Sequence, residues 1–237
     1  MKKTTTILIT ILVLALIILT AFWFSKRVKT DAPGTAPVAK EIVITGETIT
    51  EENFSGTRPR ISGNSSVVLA ANAYLDDEIG IFKTDADREV PGLRQEFGVD
   101  APPAHYTIDF TASVVEGQNT ESIVLDGYRY MGGANGSSFY KVFTMNKQNG
   151  ALLSLANVVP DAQQAGFTDY VKKSIIARQE GIFTENVSAL TFDSFKNFAF
   201  DQENLIIYFD KYEIGAGALG AVAFPLPLVS LQNYLAV

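Results

Sequence analysis

The stretch that decides the fold is residues 106–150, YTIDFTASVVEGQNTESIVLDGYRYMGGANGSSFYKVFTMNKQNG. Apolar or aromatic side chains alternate with polar or small ones over Tyr106–Val114, which is the pattern of a half-buried β-strand. The segment Phe139–Met145 predicts another strand, closed by a turn at Asn149 and Gly150. This part of the chain is therefore expected to form an antiparallel meander.

Between these two segments lies a third one whose alternation changes phase. Ile123 and Leu125 occupy odd positions, whereas Tyr128 and Tyr130 occupy even ones. A β-bulge near Gly127 would reconcile the two phases, because a bulge inserts one extra residue into a strand. We therefore predict a bulged strand here.

Helical spacing appears on both sides of the meander. Over residues 64–82 the side chains of Val68, Leu75, Ile79 and Phe82 fall on one face, and Pro91-Gly92 is expected to interrupt the chain afterwards. A second amphipathic helix is predicted around Val171, Ile175 and Ile176, after Pro160 and before Gly181. Residues 42–50 read as an earlier β-strand.

The C-terminal part predicts a hairpin over 195–209, a strand at 221–224 and a helical close at 226–235. Phe209 and Tyr212 are expected to pack this sheet against the second helix. The predicted fold class is α+β, with antiparallel sheets packed against one or two helices and preceded by a single transmembrane helix. Residues 41–135 and 136–237 would form two small domains or one continuous fold.

The transmembrane helix is predicted at residues 7–24, ILITILVLALIILTAFWF, which contain no charge and can span a bilayer. Residues 1–6 would form a short cytoplasmic tail, and residues 25–40 a basic flank and flexible linker. The linker proper, residues 30–40, would span on the order of 18 Å as a coil. The competing interpretation is a cleaved signal peptide, but the apolar run ends in bulky Phe22-Trp23-Phe24 instead of small residues.

A plasma-membrane location follows from the anchor, with the N-terminus cytoplasmic and the domain extracytoplasmic. A long trailing domain translocates largely regardless of flanking charge. Because the lysines and arginines on the two sides of the helix nearly balance, the reverse orientation stays open.

The composition after the anchor limits the partners. The first 29 residues hold five of the 19 lysines and arginines and none of the 26 aspartates and glutamates, so the remainder carries 14 basic and 26 acidic side chains, a net charge of −12. Such a domain is unsuited to nucleic acid, which requires clustered cations, and it would attract a basic protein. The absence of cysteine and the single histidine, His105, argue against thiolate or multi-histidine metal sites.

Tyr128-Arg-Tyr-Met-Gly-Gly-Ala-Asn-Gly136 is the first segment with a functional pattern. It combines two tyrosines on one strand face with a glycine-rich loop, which together offer a stacking surface and backbone hydrogen bonds. The predicted ligand-binding residues are Tyr128, Tyr130, Gly132, Gly133 and Asn135. The competing interpretation is a structural turn with core aromatic residues.

The second segment is Phe209–Gly220, which matches Gly-x-Gly-x-x-Gly at Gly215, Gly217 and Gly220. No βαβ context surrounds it, and Pro225 and Pro227 follow, so it is not expected to bind a dinucleotide. The carboxylate runs at Asp76–Glu78 and Glu51-Glu52 are typical of solvated faces. We therefore predict no catalytic residues, no metal and no cofactor, and a protein that is not an enzyme.

These motifs resemble bacterial extracytoplasmic domains of the PdaC/RsiV type. The resemblance rests on Tyr128-x-Tyr-x-Gly-Gly-Ala, on Phe143-Thr-Met-Asn-x-x-x-Gly150-x-Leu-Leu-Ser-Leu, and on Phe209-x-x-Tyr212-Glu213, Gly220, Pro225, Leu228 and Tyr234-Leu235. It covers about residues 41–237, with a PdaC-like region at 41–135 and an RsiV-like region at 136–237. This chain has Asn135 where the family loop usually has histidine.

Domains of this type precede the catalytic domain in some peptidoglycan deacetylases, and they form the outer part of a lysozyme-sensing anti-sigma factor. The resemblance therefore implies a stand-alone, membrane-anchored module that binds a peptidoglycan-related glycan or a basic wall-acting protein such as a lysozyme. A wall-modifying hydrolase with unidentified carboxylates is an alternative. A structural subunit of a membrane complex is another.

Overall fold

A computed structural model describes residues 42–178 and 180–236. The predicted tail, anchor and linker, residues 1–40, lie outside the described residues. Within the described part of the chain, no helix combines the length and the apolar character needed to cross a bilayer. The described residues belong to one compact unit.

The first layer is a six-stranded mixed sheet in the order β1-β2-β3-β4-β5-β6. Its strands are β1 (Val43–Thr50), β2 (Phe54–Ser62), β3 (Tyr106–Glu116), β4 (Thr120–Tyr130), β5 (Ser137–Asn146) and β6 (Leu152–Leu153). The predicted α+β class is confirmed, but the expectation of antiparallel sheets was wrong at one pair, because β2 and β3 pair in parallel from Phe54↔Tyr106 onward. A helical crossover between them returns the chain to the same end of the sheet, which is what a parallel pair requires.

That crossover is α1 (Ser66–Phe97), whose predicted apolar face is confirmed. Val68, Leu75 and Phe82 are buried against the sheet. The predicted interruption at Pro91-Gly92 was wrong, since the helix continues through Pro91. Proline in a helix interior costs roughly 3 kcal/mol. Buried Val90 and the bonds of the Arg94 guanidinium to the carbonyl oxygens of Glu52 (2.6 Å) and Ala104 (3.3 Å) hold the last turns in place.

α1 runs from one end of the domain to the other. Ile42, the first described residue, packs beside Gly63 just before the helix begins. Ser66 at the start of α1 donates a 2.6 Å hydrogen bond to the carbonyl oxygen of Gly150 after β5. At the far end, the 3₁₀ turn Pro102–Ala104 lies against Gly132 in the β4–β5 loop.

The predicted bulge in β4 was also wrong. The β4 ladder is regular on both sides, from Thr107↔Tyr130 to Glu116↔Glu121 with β3 and from Thr120↔Asn146 to Arg129↔Ser137 with β5. The apparent change of phase has another cause. Ile123 faces α1, whereas Val124 on the opposite face packs against the second sheet, so the middle of β4 is buried on both faces.

The second layer is a three-stranded antiparallel sheet, β7 (Phe198–Phe200), β8 (Asn204–Phe209) and β9 (Val222–Pro227). It packs with α2 (Asp161–Arg178) and α3 (Thr184–Ala189) around a second core that contains Phe167, Phe195 and Phe209. The predicted hairpin, second helix and burial of Phe209 are confirmed. The expected packing of Tyr212 was wrong, because β8 ends at Phe209 and Tyr212 lies 54% exposed in the following turn. The helical close shrinks to a 3₁₀ turn, Leu228–Ser230.

The two layers are joined along the outer edge of β5. Asn197 accepts a hydrogen bond from the amide of Val142 (3.2 Å) and donates one to the carbonyl oxygen of Tyr140 (3.0 Å). The amide of Tyr140 also donates to the Asp210 carboxylate (2.9 Å). Side chains from the C-terminal part thus form hydrogen bonds with backbone groups of β5 that the short strand β6 does not pair. This pairing suppresses edge-to-edge association. The predicted boundary at 135/136 falls in the β4–β5 loop, inside the six-stranded sheet.

Candidate binding surface

The residues predicted to bind a ligand lie at the end of β4 and in the loop that follows. Tyr128 is 41% exposed, Tyr130 is half-buried, and Gly133 and Asn135 are exposed. Gly132 has φ +80° and lies close against Pro103, so both its backbone conformation and its space favour glycine. Whether these residues bind a ligand stays a prediction.

Tyr128 is held in place by a glycine. Its ring lies so close to Gly136 that any side chain at position 136 would collide with it. Because glycine supports one part of the ring, the exposed part faces outward. A tyrosine fixed in this way is a ready surface for stacking, since little side-chain entropy remains to be lost on binding.

A second tyrosine repeats this arrangement in the other glycine-rich segment. The ring of Tyr212 lies against Gly217, where a side chain would again collide. Tyr212 has φ +72° and is the sole non-glycine residue with positive φ among residues 42–178 and 180–236. This left-handed conformation costs a bulky residue roughly 1–2 kcal/mol, and such strain concentrates at functional sites.

The two glycine-rich segments lie side by side. The amide of Lys211 donates to the carbonyl oxygen of Ser138 (3.0 Å), and its Nζ atom donates to the carbonyl oxygen of Gly136 (2.7 Å). The amide of Ala221 donates to Oγ of Ser138 (3.1 Å). The Lys211 Nζ atom also lies 5.0 Å from the centroid of the Tyr212 ring.

We call this region the tyrosine–lysine surface. It comprises Tyr128, Gly136, Lys211, Tyr212 and Gly217. Both glycine-rich segments are visible in the sequence, but their contact and the place of Lys211 and Tyr212 in one surface are not. The sequence pattern that marks each half of this surface is a tyrosine followed by a glycine-rich stretch.

A pocket of about 380 Å³ adjoins this surface. It is lined by Ser194, Lys196, Asn197, Asp210, Lys211, Tyr212 and Glu213. Burial raises the pKa of Glu213, and the nearby Asp210 carboxylate also raises it, whereas the backbone hydrogen bond from Asp210 and the charge of Lys196 lower it. That bond, from the Asp210 amide to Oε2 of Glu213, is 2.8 Å long.

Both carboxylates therefore serve the turn after β8. Asp210 accepts the amide of Tyr140, and Glu213 accepts the amide of Asp210. These bonds shape the backbone that presents Lys211 and Tyr212. The arrangement positions one amine and two aromatic rings, and it is suited to recognition.

The remaining candidates from the sequence have structural partners. Nε2 of His105 lies 3.0 Å from Oγ of Ser55. Asp76 pairs with Arg58 at 2.8 Å, and Glu78 pairs with Arg129 at 3.0 Å. In the part of the chain that the structure describes, no cluster of three or more acidic, histidine or cysteine side chains could hold a metal ion.

The mixed sheet, the smaller antiparallel sheet and the long crossover helix define an α+β fold that two solved structures share. A DUF3298 family member from Bacteroides fragilis matches with a TM-score of 0.58 and 14% identity, over 84% of this chain and 94% of that one. A DUF3298 family protein from Pseudomonas aeruginosa matches with a TM-score of 0.56 and 14% identity, over 83% of this chain and 93% of that one. At this identity the likeness establishes the fold.

Sequence comparison gives the more specific result. Residues 157–228 match the family described as "Protein of unknown function (DUF3298)". The chain is also 25% identical over 221 residues to the peptidoglycan-N-acetylmuramic acid deacetylase PdaC of Bacillus subtilis (strain 168), covering 89% of this chain and 44% of that protein. Residues 157–228 thus correspond to a DUF3298 domain, and the chain is distantly similar to PdaC over most of its length, which confirms the resemblance to the PdaC/RsiV type. It spans less than half of PdaC.

Proposed function

We propose that this chain is a non-catalytic, membrane-anchored module of the cell envelope whose tyrosine–lysine surface binds peptidoglycan glycan strands. The observation that carries the proposal is the convergence of Tyr128 and Tyr212, each fixed against a glycine, on either side of Lys211. Rigid tyrosines beside an amine suit a polymer that offers sugar faces together with carboxylates.

The chemistry of the surface fits such a polymer. Sugar rings present apolar C–H faces that pack on aromatic rings, and the strained turn at Tyr212 fixes one ring without a flexible loop. Lys211 spends one of its three donors on Gly136, which leaves two for a ligand carboxylate or hydroxyl.

The homology supports the same ligand class. PdaC is described as acting on N-acetylmuramic acid in peptidoglycan, and this chain corresponds to part of that protein. A module retained beside such an activity would serve to hold the polymer. For the present chain the activity of the whole deacetylase is not proposed, because the match covers 44% of its length.

The test is co-sedimentation of the full-length chain, purified in mild detergent, with insoluble peptidoglycan sacculi. We expect binding by the parent chain and clearly weaker binding by the double variant Tyr128→Ala/Tyr212→Ala. Phe97→Ala is the matched control, since Phe97 is an aromatic residue with 55% exposure on α1. Equal sedimentation of the double variant would refute the proposed surface, and release of soluble sugar fragments would favour the hydrolase alternative.

The membrane part of the proposal rests on residues 7–24 and has its own test. Protease added to intact spheroplasts should remove the domain and leave a small membrane-embedded stub. Complete protection of the domain would overturn the extracytoplasmic location.

The net charge of −12 on residues 30–237 favours a second candidate, a basic wall-acting protein such as a lysozyme. In that case the domain would bind the protein that acts on the wall instead of the wall itself. The two candidates differ in salt dependence, because charge steering weakens when the Debye length shortens.

A further inference from the structure

A second concave region lies at the other end of β4 from the tyrosine–lysine surface. It encloses about 460 Å³, within the size range of small-molecule sites. Its floor is apolar and includes the half-buried side chains of Leu153, Phe200 and Leu228. Its rim carries five carboxamide side chains from four separate segments of the chain. These side chains are Gln118 and Asn119, which are adjacent, and Asn146, Asn157 and Gln232. We call this region the amide groove.

Two of the carboxamides are oriented by backbone hydrogen bonds. Oδ1 of Asn146 accepts the amide of Gln148 (2.8 Å), and Oδ1 of Asn157 accepts the amide of Ser154 (2.7 Å) and its hydroxyl (2.9 Å). Because both oxygens are engaged, the Nδ2 groups are the atoms that can donate to a ligand. Neither Nδ2 group has a hydrogen-bond acceptor among residues 42–178 and 180–236. The groove therefore presents two fixed N–H donors.

The other rim residues are adaptable. Gln118, Asn119 and Gln232 are exposed, and their side chains make no hydrogen bond within the described residues. Each can donate or accept, because a carboxamide carries both functions. They complement the two fixed donors with acceptors for a ligand N–H.

Among the described residues that line the groove, none offers a cation to a ligand. These lining residues include no lysine or arginine, and the carboxylate among them, Asp201, accepts hydrogen bonds within its own turn. Oδ1 of Asp201 accepts the amides of Glu203 (2.7 Å) and Asn204 (2.6 Å), and Oδ2 accepts the Asn204 side chain (3.1 Å). These bonds lower the pKa of Asp201 against the opposing effect of burial. An anionic ligand would lose its hydration without gaining a cationic partner.

We propose that the amide groove is a binding site for neutral sugars that carry acetamido groups, such as β-1,4-linked N-acetylglucosamine. The acetamido carbonyl accepts from the fixed Nδ2 groups of Asn146 and Asn157. The acetamido N–H donates to a rim carboxamide oxygen, and the methyl group and the apolar sugar face cover the floor at Phe200 and Leu228. The enclosed volume suits a short oligosaccharide better than an extended polypeptide.

This site is separate from the tyrosine–lysine surface and does not depend on the function proposed for it. Thr120 lines the groove, and Tyr128 lies eight positions further along β4, about 27 Å away at the rise of an extended strand. Variants at one end can therefore be used as controls for the other.

The experiment is a calorimetric titration of the full-length chain with the tetramer of N-acetylglucosamine. The comparison ligands are cellotetraose, which lacks acetamido groups, and tetra-alanine. The test variant is Asn146→Asp/Asn157→Asp, which keeps the oxygens that accept the backbone amides but replaces both N–H donors. Tyr212→Ala is the control for the distant surface, and the urea unfolding midpoint of each variant checks that it folds.

We expect the acetylated tetramer to bind the parent chain and Tyr212→Ala alike, and the double variant to bind at least about tenfold more weakly, as expected for two lost hydrogen bonds. Equal binding of cellotetraose, unchanged affinity in the folded double variant, or no binding of the tetramer would each overturn the proposal. Preferred binding of tetra-alanine would overturn it in favour of a peptide site. If the tetramer binds as expected but the double variant Tyr128→Ala/Tyr212→Ala sediments with sacculi as well as the parent chain does, only the proposal for the tyrosine–lysine surface fails.

Discussion

The Nζ atom of Lys211 donates a 2.7 Å hydrogen bond to the carbonyl oxygen of Gly136, joining positions 75 residues apart in the chain. Gly136 supports the ring of Tyr128, and Lys211 lies against the ring of Tyr212. One side chain thereby links the two aromatic residues of the proposed surface. Both the stability of the two glycine-rich segments and their capacity to bind a ligand should therefore depend on the Lys211 side chain.

Lys211→Met should lower the free energy of unfolding by about 1–2 kcal/mol. The amine makes a charge-assisted bond to a carbonyl oxygen, for which the usual contribution is roughly 1.5–3 kcal/mol, and partial exposure reduces it. Lys196→Met is the matched control, because Lys196 is exposed and should change stability by less than about 0.5 kcal/mol. Urea unfolding measures both. Equal effects at the two positions would mean that the Lys211 bond adds nothing.

At position 212, Tyr212→Gly should be more stable than Tyr212→Ala by about 1 kcal/mol. Both variants lose the ring, but glycine adopts φ +72° without the penalty that alanine incurs. Thermal or urea unfolding gives the difference directly. Both variants should also bind sacculi more weakly than the parent chain, so a glycine variant that binds normally would show that the ring is dispensable.

Phe209→Ala should cost about 3–5 kcal/mol, because the side chain is fully buried in the second core and packs edge-to-face on Phe195 with centroids 6.2 Å apart. The measurement is equilibrium unfolding in urea. Phe183→Ala, at a phenylalanine that is 43% exposed, provides the comparison and should cost much less. A loss at Phe209 below about 0.5 kcal/mol would contradict its burial.

Glu213→Gln should flatten the dependence of stability on pH. Burial raises the folded-state pKa of Glu213 above its ordinary value of 4.5, so between these values the folded chain binds more protons than the unfolded one. Stability from this group is therefore present at low pH and declines as pH rises through that window. The glutamine variant removes the decline. Melting temperatures at pH 4 and pH 7 should show the variant gaining relative to the parent at pH 7, and a gain confined to pH 4 would reverse the assignment.

For the basic-partner candidate, association of the full-length chain with lysozyme should slow as salt rises. Steering acts over a Debye length that falls from ~10 Å at 0.1 M to ~3 Å at 1 M ionic strength. Stopped-flow mixing at both salt concentrations measures the on-rate. Absence of binding even at low salt would leave glycan binding as the stronger proposal.

Local patterns predicted much of the fold because they reflect one-sided burial. Tyr106, Ile108 and Phe110 alternate and are buried, and Val68, Leu75 and Phe82 form the packed face of α1. The pattern failed where a second layer covers the other face, as at Val124, since burial on both faces removes the alternation. It also missed β2, whose sequence FSGTRPRIS carries charges and Pro59 between its buried residues.

The candidate surface was half predictable for a related reason. Glycine-rich segments containing tyrosine are visible in one dimension, so both were identified. Their contact depends on the fit of the β8–β9 connection against the start of β5, where Ser138 receives bonds from Lys211 and Ala221. The left-handed turn at Tyr212 gives no sequence signal either, because tyrosine is an uncommon residue in that conformation.

The length of α1 fixes the distance between the two ends of the domain. Its 32 residues measure about 48 Å at 1.5 Å each. The helix begins beside Ile42, and the 3₁₀ turn that follows its end lies against Gly132. A rod of this length braces the domain from the end that carries the amide groove to the end that carries the tyrosine–lysine surface, so the two proposed sites keep a fixed separation. A single ligand could therefore occupy both sites only if it spanned the roughly 27 Å of extended strand between Thr120 and Tyr128.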